Sequence, residues 1–182
     1  MNKFFCGIIA AAVLTLSGCA SSNINQFQPD PLQAHYIKNN VKGTVHVDNF
    51  TMEKGNSDSI LCRFSGNVYL PNKMTFSEYI KSAFEKNLIL ANKYETSAPK
   101  AAHQLSADIL SVDFNTIGGT WEITANVSID GNRPVYIESK TEYGTSFDAY
   151  SACKNTAESF QTAVHDFVKT TLENHKIIDE LS

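Results

Sequence analysis

From Ala149 to Leu172 the apolar and small residues step by three and four without a miss: Ala149, Ala152, Cys153, Thr156, Ala157, Phe160, Ala163, Val164, Phe167, Val168, Thr171 and Leu172. That spacing places one continuous stripe along one side of a long helix. The stripe begins with small residues and ends with large ones, so its first half can lie close against a flat surface. A stripe this long must be buried against a sheet or another helix, which confines the chain to a layered architecture.

The surface it needs is visible upstream. Trp121, Ile123, Ala125, Val127 and Ile129 alternate with Glu122, Thr124, Asn126, Ser128 and Asp130, the period of a half-buried strand. Gly118-Gly119 turns the chain into this strand, and Asp130-Gly131-Asn132 turns it out toward another alternating run from Val135 to Tyr143. Leu105-Ser106-Ala107-Asp108-Ile109 also alternates, then changes phase at Leu110, Val112 and Phe114. A bulge near Ile109-Leu110 accounts for the shift. These three strands predict an antiparallel meander. Val41 to Val47 predicts a first strand and Ile60 to Phe64 a short second one, broken by Gly66 and by Pro71-Asn72-Lys73. Thr75 with Glu78 predicts a capping box for a helix reaching about Asn92, with Phe76, Tyr79, Ile80, Ala83, Phe84 and Leu88 on one face. The order β-β-α-β-β-β-α over residues 41–182 predicts a single α+β domain. Its expected form is a two-layer sandwich: a mainly antiparallel sheet of about five strands with two helices on one face. The tail from Lys176 to Ser182 is expected to fray.

The N-terminus carries a different message. One positive residue, Lys3, precedes an apolar run from Phe4 to Leu16. It is too short to span a bilayer, which takes roughly 20 residues, and it suits the core of a secretory signal peptide. The run ends in Leu16-Ser17-Gly18-Cys19, which resembles the lipobox of bacterial lipoproteins. That resemblance implies removal of residues 1–18 and lipid on Cys19. The rival readings are an ordinary signal peptide with a chance cysteine, and an uncut anchor. Two or three acyl chains hold firmly at ~0.8 kcal/mol per buried methylene. Ala20 and Ser21 follow the cysteine; by the enteric sorting rule they point to the outer membrane, periplasmic side. The inner membrane and the cell surface are the alternatives. Residues 19–40 read as the lipidated cysteine and a polar tether, with a reach of ~25 Å for about 20 residues of coil.

Net charge is −4, and the basic residues are scattered without a Lys/Arg stripe, which argues against a nucleic-acid partner. Of four cysteines, Cys6 belongs to the leader and Cys19 to the lipid. Cys62 and Cys153 remain, an even pair for an oxidising compartment, and a Cys62–Cys153 disulfide is expected. Two separately buried thiols are the alternative.

In its lipobox, polar spacer, strand–helix–meander order and long last helix, the chain resembles a broad group of small envelope lipoproteins: YajG-like, ABC-transport auxiliary and LptE-type. The resemblance implies a non-enzymatic role in transport, outer-membrane assembly or maintenance, with an envelope protein as partner.

No catalytic constellation is written in the chain. There is no Gly-x-Ser-x-Gly elbow, and His35, His46, His103, His165 and His175 show no ligand spacing, so no catalytic residue, metal or cofactor is expected beyond the lipid. His46 and His165 are read as surface residues. Trp121, the one tryptophan, is either core or a partner-binding anchor, and Tyr136 sits on a polar sheet face that could meet a partner. The leading reading is a membrane-anchored, non-catalytic binding or accessory protein. The alternatives are a subunit of a larger envelope complex, or an enzyme whose site assembles only in three dimensions.

Overall fold

In the computed structural model, which describes residues 22–63 and 66–182, the expected alternation forms a four-stranded sheet. The leader, the cleavage position and Cys19 lie outside the described residues. The sheet comprises β2 (Val45–Thr51), β5 (His103–Asn115), β6 (Thr120–Ile129) and β7 (Val135–Glu142), in that spatial order. β5, β6 and β7 form the antiparallel meander, and the phase change on β5 is a register shift between Ile109 and Ser111. β2 joins β5 in parallel. At the β5–β6 turn Gly119 has φ +65°, and an added Cβ would lie 2.1 Å from the Tyr143 carbonyl oxygen, so glycine is required there.

The rest of the predicted sheet is a separate one. β3 (Ser59–Cys62) and β4 (Gly66–Tyr69) form a hairpin, and β1 (Ser22–Asn23) runs parallel to β4 on its other side. Gly66, read as a strand breaker, therefore begins a strand. The fold is α+β with two mixed sheets of three and four strands.

The two helices form where the stripes predict. α2 (Phe76–Leu90) opens with a capping box: the Thr75 hydroxyl accepts from the Glu78 N–H and the Glu78 carboxylate accepts from the Thr75 N–H at 2.7 Å. α3 (Ala149–Leu172) is capped by Asp148, which accepts from the Ser151 N–H at 2.8 Å. Both helices bury their apolar faces over one side of the large sheet, α2 beside β2 and α3 across β6 and β7. Phe160 is the hub of the core. Its ring lies 4.7 Å from Trp121, 5.2 Å from Tyr79 and 5.5 Å from Phe76. A fully buried side chain of this size contributes ~1.5–3 kcal/mol.

Three expectations are corrected. First, residues 22–40 do not form a tether. Pro31–Asn40 is a helix, α1, capped by Asp30, and Ile24, Phe27, Ala34 and Ile37 are buried in the main core. The segment lies against α2 and α3. The Asp30 N–H donates to Asn87 Oδ1 at 3.2 Å, Lys86 Nζ donates to the Phe27 carbonyl at 2.9 Å, and the Tyr79 hydroxyl donates to the Asn25 carbonyl at 2.9 Å. Its polar composition hid four well-spaced apolar anchors. Second, the tail is ordered as α4 (His175–Glu180), because Ile177 and Leu181 are buried. Third, His165 is not on a solvated side. Its ring is half-buried and packs at a tilt 4.4 Å from Phe27, on the side of α3 that the N-terminal segment covers.

The disulfide forms. Cys62 at the end of β3 is bonded to Cys153 near the start of α3, with Cα atoms 5.9 Å apart. It ties the small sheet to the helix layer.

Candidate functional site

Alternation on a sheet covered by helices on one side leaves a second face open. In the large sheet that face carries Ser106 and Asp108 from β5, Glu122, Asn126 and Ser128 from β6, and Tyr136, Glu138 and Lys140 from β7. Strand pairing sets Asp108, Asn126 and Tyr136 in one row and Asp113, Glu122 and Lys140 in another. Neighbouring hydroxyls on the face bond to each other: Ser106 to Ser128 at 2.8 Å and Ser111 to Thr124 at 2.8 Å. Thr51 donates to Asp108 at 3.0 Å. A shallow depression of about 350 Å³ lies among Asp48, Thr51, Asp108, Asn126 and Ser128.

A larger cleft of about 660 Å³ opens where β7 meets α4, lined by Arg133, Tyr136, His175, Lys176, Asp179 and Glu180. Tyr136 is 54% exposed at its rim, and its hydroxyl donates to Glu138 at 3.2 Å. Its phenol pKa is raised by the desolvation it does undergo and by the Glu138 carboxylate, so it stays a neutral hydrogen-bond donor and acceptor. Charges of both signs line the cleft. Its lining offers hydrogen-bonding groups and one aromatic surface.

Trp121 answers differently. It is fully buried, 4.9 Å from Phe114, and its Nε1–H donates to the Thr156 carbonyl at 3.0 Å and to Ser159 Oγ at 3.1 Å. A side chain with no exposed surface cannot meet a partner, so the anchor reading is corrected to core packing. Cys19, the other residue singled out beside the disulfide pair, lies outside the described residues.

Several other titratable groups hold structure. His103 Nδ1–H donates to Asp130 Oδ2 at 3.0 Å, and Asp130 also accepts from the Gln104 N–H at 2.7 Å, locking the β6–β7 turn to β5. His46 bonds the Glu95 carbonyl at 3.0 Å. Burial lowers the His165 pKa, opposed by the Asp30 and Asp166 carboxylates. Burial also raises the Tyr79 phenol well above its ordinary value. Among the described residues no group of three His, Cys, Asp or Glu is arranged to hold a metal, and no helix is long and apolar enough to cross a membrane.

The α4 cleft was missed from sequence. Asn174, which caps α4 by accepting from the Lys176 N–H at 3.0 Å, was the signal that a last short helix would build its wall.

No family model matches the chain, and no curated protein matches it. Among solved structures it is similar to a Xanthomonas campestris protein described as DUF330. Identity is 11%, coverage is 89% of this chain and 91% of that one, and the TM-score is 0.45. So loose a superposition defines neither family nor function.

Proposed function

We propose that this chain is a lipid-anchored protein of the bacterial envelope with a non-catalytic binding or accessory role. The observation that carries the reading is the fate of its cysteines. Cys62 and Cys153 are joined, the state expected outside the reducing cytosol. Cys6 lies within the apolar leader, which leaves Cys19 at the end of Leu16-Ser17-Gly18-Cys19. A leader, a cysteine placed for acylation and a disulfide in the domain are three features that export explains together. Placement on the outer membrane, periplasmic side, rests on Ala20 and Ser21 alone. The finer likeness to YajG-like, ABC-transport auxiliary or LptE-type lipoproteins belongs to the same proposal.

The binding surface we assign is the open polar face with the Tyr136 cleft. Its mixed charge and hydroxyl rows suit a polar protein partner better than nucleic acid or an anionic membrane. The test is metabolic labelling with palmitate and fractionation of cells. The native chain is expected to carry label and to sediment with membranes. Cys19→Ala is expected to lose the label and leave the membrane fraction. Equal labelling of both refutes the proposal.

A further inference from the structure

Several loops of this fold meet at one end of it. β6 runs from Thr120 to Ile129, so the turn at 116–119 and the turn at 130–132 sit at opposite ends of the large sheet. At the first end Arg63, the residue after β3, reaches across to two other loops. Its Nε–H donates to Thr116 Oγ1 at 2.8 Å, one terminal N–H to the Thr116 carbonyl at 2.8 Å, and the other to the Phe147 carbonyl at 3.0 Å. The Thr145 hydroxyl donates to the same Thr116 carbonyl. The disulfide fixes the start of α3 nearby.

Two large apolar side chains project from this end. Ile117 is 84% exposed and Phe147 is 102% exposed, the two most exposed large apolar residues on the described surface. Tyr150, the second residue of α3, is 59% exposed. Ile117 and Phe147 border an open space of about 730 Å³ with Arg63, Thr116, Thr145 and Ser146. The Arg63 guanidinium behind them is already hydrogen-bonded. Asp148 beside them caps α3, and its backbone and hydroxyl bonds hold its carboxyl below the usual range, so it is charged.

The chain also enters the domain here. β1 is parallel to β4, with Ser22 opposite Val68, so β1 begins toward Gly66 and the Arg63 turn. Ser22 is three residues beyond Cys19. Three residues reach at most about 11 Å, so an acyl group on Cys19 is held close to this end of the domain, not ~25 Å away on a tether.

We infer that this end is a membrane-facing pole, and that Ile117 and Phe147 sink into the bilayer interface beside the lipid anchor. The inference rests on acylation at Cys19. It favours lipid over a protein because the chain enters the domain at this end, only three residues after Cys19, which keeps any acyl group beside these side chains. Side chains this exposed also need no matching shape in a fluid surface. With Asp148 adjacent, the attraction is apolar, so zwitterionic lipid suffices. The pole would leave the Tyr136 cleft, near the opposite turn, facing away from the membrane.

The test uses the full-length acylated protein reconstituted in phosphatidylcholine vesicles, with or without brominated acyl chains. Tryptophan is introduced as Phe147→Trp or Ile117→Trp at the pole, and as Arg133→Trp at the far turn as a control. The buried Trp121 background is subtracted using the unsubstituted protein. Interfacial groups sink ~5–10 Å, so the bromines are expected to cut the emission of Phe147→Trp and Ile117→Trp roughly twofold while sparing Arg133→Trp. Mass spectrometry of the N-terminal peptide is run on the same samples. Acylated protein in which the pole reporters are quenched no more than Arg133→Trp overturns the pole alone. Unacylated protein overturns the anchor and the pole together. An unquenched pole that instead photo-crosslinks to an envelope protein gives the surface to that protein and overturns the lipid assignment.

Discussion

Replacing Phe27 with alanine separates a docked N-terminal segment from a tether. Phe27 is 1% exposed, edge-on to Tyr79 at 6.2 Å and tilted against His165 at 4.4 Å. Its walls belong to α2 and α3, which are held by the large sheet and cannot collapse into the void. A buried Phe→Ala change at such a site costs about 3–5 kcal/mol in transfer and cavity free energy. At 2–4 °C per kcal/mol for a domain of this size, Tm is expected to fall by roughly 6–20 °C. Leu32→Ala is the control: Leu32 lies on the same segment, is 81% exposed, and is expected to change stability by less than about 0.5 kcal/mol. Urea unfolding of the oxidised protein, followed by circular dichroism, measures both. A Phe27→Ala protein as stable as Leu32→Ala would show that residues 22–40 do not pack on the domain, and would remove the short reach on which the membrane-facing pole depends.

Two other outcomes follow from the same contacts. Cys153→Ser, or reduction of the native protein, releases a crosslink between residues 91 apart in sequence and is expected to cost about 4–5 kcal/mol, read as a lower urea midpoint; an unmoved midpoint refutes the crosslink. His165 is expected to protonate below the ordinary histidine range because it is buried, so the unfolded chain takes up its proton first as pH falls. The contribution of His165 to stability is therefore complete above about pH 6.5 and declines as pH drops toward its folded pKa. NMR titration of the ring tests this, and Phe27→Ala should move the pKa back up; a native titration at the ordinary value contradicts the burial.

The elements that sequence exposes are those whose pattern repeats. α3 and β6 show twelve and five in-phase positions respectively, Thr75 and Glu78 announce the start of α2, and the β5 phase break is a bulge where expected. The N-terminal segment lacks such repetition. Ile24, Phe27, Ala34 and Ile37 are spread over 14 residues of mostly polar chain, yet all four join the one core. One local signal was available: Asp30-Pro31 is an N-cap followed by proline at the first helical position, a strong helix start. The half-burial of His165 has the same origin. Its side of α3 looks solvated only if nothing covers it. The split into two sheets has a topological cause, since β1 pairs with β4 across more than 40 residues and no local pattern encodes that pairing. Of the site, Tyr136 was legible from its alternation, whereas the α4 wall and the meeting of Arg63, Thr116 and Phe147 depend on long-range contacts.

The central claim is that Cys19 carries the lipid that fixes this domain to a membrane. Intact-mass spectrometry of the protein extracted from cells tests it most directly. The expected mass is that of a chain starting at Cys19, heavier than the polypeptide by a diacylglyceryl group or by that group plus one more acyl chain. A chain that begins at Met1, or starts at residue 19 with no added mass beyond the polypeptide, contradicts it.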